Sequence, residues 1–92
     1  MKYQVTYTNK FLRDYAKMQK RGKDMSKLEA IVKKLENDES LEPKHRLHIL
    51  KGKYHGFCEC HIEPDWLLVW LHNGDRLILT FTDTGSHSDL FR

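Results

Sequence analysis

Residues 56–82, GFCECHIEPDWLLVWLHNGDRLILTFT, give the strongest indication of the fold class, because three apolar segments alternate there with two turns. The segments 56–62, 65–71 and 76–82 are rich in β-branched and aromatic residues, which favour strands. Glu63-Pro64 separates the first two segments, and Asn73-Gly74-Asp75 between the second and third is a strong hairpin signal. This half of the chain therefore predicts three consecutive antiparallel strands.

The residues before this stretch predict one more strand and a first helix. Residues 2–7 alternate and carry β-branched and aromatic types, as a strand does. Thr8 is a suitable cap for a helix that runs to about Arg21, with Gly22 as its stop. The apolar residues in this segment have helical spacing: Phe11, Leu12, Tyr15, Ala16 and Met18.

A second helix follows after a short link, so the two helices are expected to form an antiparallel hairpin. Ser26 and Glu29 have capping-box spacing, and Asp24 is a rival cap. The apolar stripe of this helix consists of Leu28, Ile31, Val32 and Leu35. Residues 37–47 are polar, and the final segment GSHSDLFR predicts a short helical turn.

The predicted fold class is α+β, in the order β-α-α-β-β-β. An antiparallel sheet is covered on one face by the helical hairpin, and its other face is open to a ligand. A length of 92 residues suits one domain and is too short for two, so we expect a single domain over residues 1–92.

The composition is typical of a globular protein, with 39% apolar and 32% charged residues. No window approaches the ~18 apolar residues of a membrane span, and the first ten residues lack the apolar core of a secretion signal. We therefore expect a cytoplasmic protein with no membrane partner. Cys58 and Cys60 form a CxC pattern, which indicates neither a redox pair nor a zinc finger.

Positive charge is concentrated in residues 10–34, while the formal net charge of the chain is +3. A basic region of this kind favours polyanionic partners. A solvated helix face, or a surface for an acidic protein, would have the same composition, so the charge pattern alone leaves these alternatives open.

Strand alternation sorts residues 57–63 into two faces. The polar face is expected to point outward and carries Phe57, Glu59, His61 and Glu63. The apolar face belongs against the helices and carries Cys58, Cys60 and Ile62. Because Cys60 and His61 then point to opposite sides, we expect buried thiols and no metal site.

An outward Glu59 and His61 could form an acid–base pair, since histidine exchanges protons near neutral pH. A solvated salt-bridging pair is the alternative. Antiparallel pairing could bring Asp65, His48 and His87 toward the same edge, although their spacing alone does not establish it. Among the other singled-out residues, we expect Trp66 and Trp70 to be packing residues, and His45, His55 and His72 to be surface or loop residues.

Three blocks of sequence together resemble one known family. They are His48-x-Leu50-x-Gly52, then Gly56-Phe57-x-Glu59-x-His61-Ile62-Glu63-Pro64-Asp65-Trp66, then Thr84-Gly85-Ser86-His87-Ser88-Asp89-Leu90-Phe91. These blocks, their separation and the basic helical hairpin are similar to those of YafQ-family toxins, and the similarity covers essentially the whole chain.

The resemblance implies a RelE-like α+β fold and a ribosome-dependent activity that cleaves mRNA within a codon. It also implies that no metal or other cofactor is needed, and that a cognate antitoxin, usually with a ribbon-helix-helix half, neutralises the toxin. The positions that match the family's functional residues are His48, Glu59, His61, Asp65, His87 and Phe91.

These residue types suit RNA cleavage by attack of the 2′-OH on the adjacent phosphate, which needs a base and an acid. We expect His87 to act as the acid, with His48 or His61 as base or phosphate donor. Glu59 and Asp65 would orient those imidazoles or take the proton themselves.

Contacts with RNA are expected outside this set. Phe91 would stack on a base, with a core anchor at the C-terminus as the alternative. Phosphate contacts are expected from lysines and one arginine: Lys51, Lys53, Lys10, Arg13, Lys17 and Lys20.

Two positions depart from the family pattern, which often has Arg where this chain has Cys58 and Asp83. An arginine beside the reacting phosphate would stabilise transition-state charge, and Asp83 has the opposite sign. Lys51, Lys53 or Arg76 could substitute. Two alternatives therefore stay open: a ParE-like toxin that inhibits a protein target without catalysis, and an antitoxin-binding module with little nuclease activity.

Overall fold

The secondary structure follows the predicted order with one added strand. The computed structural model describes residues 2–91, and for residue 54 it describes the backbone alone. The elements are β1 Gln4–Tyr7, α1 Asn9–Lys20, α2 Met25–Glu36, β2 His48–Ile49, β3 Phe57–Glu63, β4 Trp66–Asn73, β5 Ile78–Gly85 and α3 His87–Leu90. None of the helices in this part of the chain has the length and apolar character to cross a membrane.

The sheet has five strands in the order β1-β5-β4-β3-β2. Antiparallel pairing joins β2 through β5, and for β3, β4 and β5 it is the pairing that the turn signals predict. Two features differ from the expectation: β2 is an additional short strand, and β1 pairs with β5 in parallel. Turn chemistry determines the direction only of strands joined by short turns, whereas β1 meets β5 across most of the chain.

The helix ends have the capping contacts that their sequences suggest. The Thr8 side chain accepts a hydrogen bond from the Phe11 amide at the start of α1. Gly22 follows α1 with φ of 85°, a left-handed conformation that glycine adopts without strain. Asp24 and not Ser26 caps α2, since its side chain accepts from the Ser26 amide.

The core lies between the helical hairpin and one face of the sheet. Phe11, Met18 and Leu28 from the helices pack in one cluster with Trp66, Trp70 and Phe81. Both tryptophans are at most 2% exposed, so their interpretation as packing residues is confirmed. Burial of a large apolar side chain contributes roughly 1.5–3 kcal/mol, so this cluster is the main source of stability.

The cysteines lie on the core-facing side of β3, as strand alternation predicts. Cys60 is fully buried and Cys58 is half-buried, and both are free thiols. Burial, reinforced by the nearby Glu59 carboxylate, raises the pKa of the Cys60 thiol to about 12. A thiol with this pKa is unreactive near neutral pH.

The face of the sheet opposite the helices is less open than the sequence predicts. Leu67 and Val69 of β4 point to this face and are only 0% and 2% exposed. The neighbouring strands place Glu59 and Asp83 beside Val69, while Gly85, just before α3, lies beside Leu67. The central strand is therefore buried on both faces, and ligand access is confined to the margins of this surface.

Candidate active site: a cluster of histidines and carboxylates

The register of the sheet places His48 and Glu59 side by side. His48 pairs with Glu59 in β3, and Glu59 pairs with Val69 in β4. Paired residues of antiparallel strands share a face, so their side chains are neighbours. His48 Nε2 lies 3.2 Å from Glu59 Oε1. The short strand β2, which the sequence did not predict, therefore delivers one of the candidate histidines.

Glu59 is on the predicted face of β3, but it is buried instead of exposed. Its side chain is 6% exposed, and within residues 2–91 its Oε2 atom has no hydrogen-bond partner. The expectation of an outward, solvated carboxylate is therefore wrong, because the adjacent strand and histidines cover it. An unpaired buried polar atom costs about 1–3 kcal/mol, so this group calls for an explanation beyond stability.

Backbone carbonyls orient both histidines that flank Glu59. His48 Nδ1 lies 2.8 Å from the Arg46 carbonyl oxygen, and His61 Nδ1 lies 3.2 Å from that of Pro64. Because carbonyls only accept hydrogen bonds, each Nδ1 carries a proton and donates it. Both Nε2 atoms are thereby directed at Glu59 Oε1, at 3.2 Å for His48 and 3.8 Å for His61.

His48 Nε2 and Glu59 Oε1 lie 3.2 Å apart, and both can accept a proton. A neutral imidazole that donates from Nδ1 has only an acceptor left at Nε2, and a carboxylate oxygen is also an acceptor. Such a pair is chemically equipped to take a proton from a hydroxyl group and return it later.

Asp65 holds His87 by two hydrogen bonds. The His87 amide donates to Asp65 Oδ1 at 2.9 Å, and His87 Nδ1 donates to the same oxygen at 2.6 Å. These bonds, the backbone one first, lower the pKa of Asp65 below its ordinary value, so its carboxylate stays ionised. With Nδ1 bound to an anion, His87 is oriented to hold and donate a proton from Nε2.

The two pairs join into one cluster through His61 and His87. Their rings are tilted with centroids 5.5 Å apart. The structure therefore brings together all five predicted catalytic residues, in the spatial order His48, Glu59, His61, His87 and Asp65. Their catalytic roles stay predictions.

The predicted RNA-binding residues are distributed differently. Phe91 is 41% exposed beside His87, so its predicted alternative as a buried core anchor does not match its exposure. Lys51 and Lys53 are exposed in the connection from β2 to β3. Arg13, Lys17 and Lys20 are exposed on α1, which packs on the other face of the sheet, so the structure does not bring them to the cluster.

Lys10 is committed to carboxylates within the protein. Its Nζ atom lies 2.8 Å from Asp14 Oδ2 and 2.6 Å from Asp83 Oδ1. Asp83 occupies the same row of the sheet as Glu59 and Val69. Lys10 therefore neutralises Asp83, the departure from the family pattern, but the pair supplies no free cation for a phosphate.

Sequence reasoning missed the contributions of Arg46 and His45. Arg46 adopts a left-handed conformation, with φ and ψ both 48°, and presents its carbonyl to His48. His45 Nδ1 lies 2.7 Å from the His61 carbonyl, so this residue is more than a surface histidine. A left-handed conformation at a non-glycine residue has no signal in a single sequence, and neither contact could be found from spacing.

The described residues contain no group of three or more His, Cys, Asp or Glu side chains arranged to hold a metal ion. Cys58 and Cys60 lie on the core side of β3, whereas Glu59 and His61 face the other side. The expectation that the protein needs no metal or other cofactor stays a prediction.

Comparisons with known proteins place the chain in a family. A family model described as bacterial toxin of type II toxin–antitoxin system, YafQ, matches residues 3–92. The mRNA interferase toxin YafQ of Escherichia coli K12 is 36% identical over 88 residues, which are 95% of this chain and 94% of that protein.

Solved structures agree with the sequence match. YafQ in the DinJ–YafQ toxin–antitoxin complex of E. coli superposes with a TM-score of 0.90 at 32% identity, covering 100% of both chains. A metal-bound toxin from Helicobacter pylori gives a TM-score of 0.90 at 36% identity, covering 97% of this chain and 99% of that one.

The matches assign the chain to the toxins of type II toxin–antitoxin systems. Its α+β domain has a cluster of histidines and carboxylates at the margin of the sheet. The order of strands, the helical hairpin and the short final helix are all part of this match. Within that class, the chain belongs to the YafQ family.

Proposed function

We propose that this chain is an mRNA interferase, an endoribonuclease toxin that cuts mRNA on the ribosome and is held inactive by a cognate antitoxin. The observation that carries the proposal is the continuous cluster from His48 through Glu59, His61 and His87 to Asp65. Membership of the YafQ family supports it, since curated relatives carry the name mRNA interferase toxin.

The cluster supplies the groups that cleavage through the RNA 2′-OH requires. The 2′-oxygen attacks the adjacent phosphorus, its proton passes to the His48–Glu59 pair, and the new P–O bond yields a 2′,3′-cyclic phosphate. As the bond from phosphorus to the 5′-oxygen breaks, His87 Nε2 donates a proton to that oxygen. Each acid or base contributes about 10²–10⁴-fold to the rate.

Asp65 and His61 would support this chemistry from either side. The Asp65 carboxylate fixes the direction of the His87 ring through the 2.6 Å contact with its Nδ1 atom. His61 lies between the acid and the base, with its ring held by the Pro64 carbonyl, and would position the reacting phosphate between them. Phe91 would stack on a base next to the cut, where aromatic faces contribute ~1–3 kcal/mol per base.

The proposal includes the partners and the location. Relatives include YafQ in a complex with the antitoxin DinJ, and we propose an antitoxin for this chain as well, of the ribbon-helix-helix type. The substrate is mRNA in the ribosome, which places the protein in the cytoplasm.

Cleavage of mRNA on programmed ribosomes tests the proposal directly. We expect His87→Gln to fold normally and to lose about 10²–10⁴-fold in rate, because the general acid is removed. His72→Gln is the matched control, since His72 bonds to Tyr3 and lies outside the cluster. Full activity of the His87 variant would reject the assigned acid, and absence of cleavage by the wild-type protein would reject the nuclease.

One observation favours a second candidate function. Lys10 neutralises Asp83, which stands where the family often has an arginine. A chain that binds antitoxin but cuts nothing would tolerate this change. Growth arrest on expression distinguishes the two functions, because only a toxin arrests growth, and mapping of mRNA 5′ ends distinguishes a nuclease from a ParE-like inhibitor of a protein.

A further inference from the structure

A basic cleft lies next to the cluster at the outer edge of β3. It has a volume of about 410 Å³ and is lined by Lys27, Lys44, Arg46, His61 and Glu63, among others. His61 belongs both to this cleft and to the candidate active site. Strand β2 pairs only with residues 58 and 59 of β3, so the edge of β3 beyond them is left to line the cleft.

The basic side chains of the cleft differ in how closely carboxylates pair with them. Glu63 accepts from Lys27 at 2.9 Å and from Lys23 at 3.0 Å, so this carboxylate is already shared by two lysines. Lys44 has only a 4.0 Å contact with Glu42, between two well-exposed side chains. Within the described part of the chain, no carboxylate lies within ion-pair distance of the Arg46 guanidinium. The cleft therefore presents positive charge from Lys44 and Arg46.

Arg46 also connects the cleft to the catalytic groups. Its carbonyl orients His48, its backbone is left-handed, and the same residue lines the cleft. A non-glycine residue in this conformation carries strain, which persists where surrounding structure and function maintain it. The position of Arg46 is therefore coupled to the position of the base.

We propose that this cleft binds the backbone of the mRNA strand being cut, with Lys44 and Arg46 on a phosphate next to the scissile one. The inference rests on the proposed function, since a strand with its reacting phosphate at His61 and His87 must place its neighbouring phosphates beside them. Arginine and lysine are the residues that bind phosphates. The pair would supply cations that the family's arginine positions lack in this chain.

Binding of a non-cleavable RNA tests the cleft without depending on catalysis. The probe is a fluorescent single-stranded 2′-O-methyl RNA of about 12 nucleotides, within the range that single-strand sites cover. We expect the double variant Lys44→Gln/Arg46→Gln to lose about tenfold or more in affinity. The slope of log affinity against log salt should fall by about 0.7 for each phosphate contact removed.

The double variant Lys2→Gln/Lys33→Gln is the matched control. It removes the same charge from the residues before β1 and from the far end of α2, neither of which lines the cleft. Equal losses in the two double variants, or no loss in the first, would overturn the proposal. Lack of measurable binding by the wild-type protein at low salt would also overturn it.

Further measurements separate this proposal from its rivals. On programmed ribosomes, we expect the cleft variant to raise KM with little change in kcat, whereas a fall in kcat alone would mean that Arg46 acts only by orienting His48. Weaker binding to vacant ribosomes would assign the cleft to ribosomal RNA. Equal binding of poly-glutamate would assign it to an acidic protein segment. Each of these three results would contradict the proposal.

Failure of the cleft and failure of the nuclease can be told apart. If the wild-type protein cleaves mRNA and both double variants bind RNA alike, the cleft assignment is wrong and the nuclease stands. If the wild-type protein binds RNA through the cleft but does not cleave it on ribosomes, the cleft assignment stands and the nuclease proposal is wrong.

Discussion

Glu59 is both a carboxyl group and a buried residue, a combination that lowers the stability of a fold. It is a carboxyl group with a 6% exposed side chain, and its Oε2 atom has no hydrogen-bond partner within residues 2–91. Burial of such a group is costly, and the flanking imidazoles engage only Oε1. Retaining a carboxylate beside two imidazoles at this cost fits the proposed reaction, in which the His48–Glu59 pair takes the proton of the RNA 2′-OH.

We predict that Glu59→Gln lowers cleavage by about 10²–10⁴-fold, because the amide cannot accept the proton. The melting temperature should stay equal or rise, since the variant has the same shape and removes a buried carboxylate. Single-turnover cleavage and thermal unfolding measure the two effects, with exposed Glu39→Gln as the control. A clear loss of stability with cleavage retained would make Glu59 a structural residue.

Helix α3 is short, and its position determines where His87 lies. Ser86 and Asp89 form a capping box, in which the Asp89 side chain accepts from the Ser86 amide at 2.8 Å. Arg21, at the end of α1, donates to the same carboxylate at 2.7 and 3.0 Å. A Cβ atom on Gly85 would approach the Asp89 side chain to 2.9 Å, so only glycine fits there without displacement. The element is therefore fixed by contacts around Asp89.

We predict that Asp89→Ala destabilises the protein by about 1 kcal/mol through loss of the cap and lowers kcat by misplacing His87. Arg21→Gln is the matched variant, because it removes the ion pair and leaves the capping box, so its stability loss should be smaller. Urea unfolding and cleavage rates test both. Equal losses in the two variants would show that the cap contributes nothing.

The Asp89 carboxylate makes the stability of the fold depend on pH. The Arg21 guanidinium and then the Ser86 amide hold the pKa of Asp89 well below its ordinary value of 3.8. A group with a lowered pKa in the folded state stabilises the fold above its ordinary pKa, and that contribution is lost as the pH falls further. We therefore expect the stability difference between the wild type and Asp89→Ala to be constant near neutral pH and to shrink below about pH 3.8.

At the scale of the whole molecule, the two faces of the sheet carry different tasks. The helical face holds the core, and the other face holds the candidate active site at its margin. The basic residues of α1 therefore lie in a different layer from the cluster. Long-range attraction between these residues and ribosomal RNA would favour association without taking part in the chemistry.

We predict that Lys17→Gln/Lys20→Gln weakens binding to ribosomes and makes it less dependent on salt, because phosphate contacts release counterions. The kcat at saturating ribosomes should not change, since neither lysine reaches the cluster. Sedimentation binding at several salt concentrations and single-turnover cleavage measure the two quantities. A lowered kcat with unchanged binding would contradict the assignment.

Much of the fold could be predicted because its signals are local. The turn that follows Asn73, the caps at Thr8 and Asp24 and the stop at Gly22 each act through contacts a few residues apart. The parallel pairing of β1 with β5 and the strand β2 could not be predicted, since both depend on partners chosen after the chain collapses. For the same reason, the residues of the candidate site could be predicted from the sequence, but their arrangement in space could not.

Periodicity and capping depend on near neighbours along the chain, so most elements and the chemistry of their side chains could be read from the sequence. Alternation divided β3 into a thiol face and an acid–base face, and the motif blocks indicated the family. Burial and the pairing of charges depend on side chains that meet only in the folded chain. The burial of Glu59, the neutralisation of Asp83 by Lys10, and the support of the histidines by Arg46 and His45 are therefore properties of the folded molecule alone.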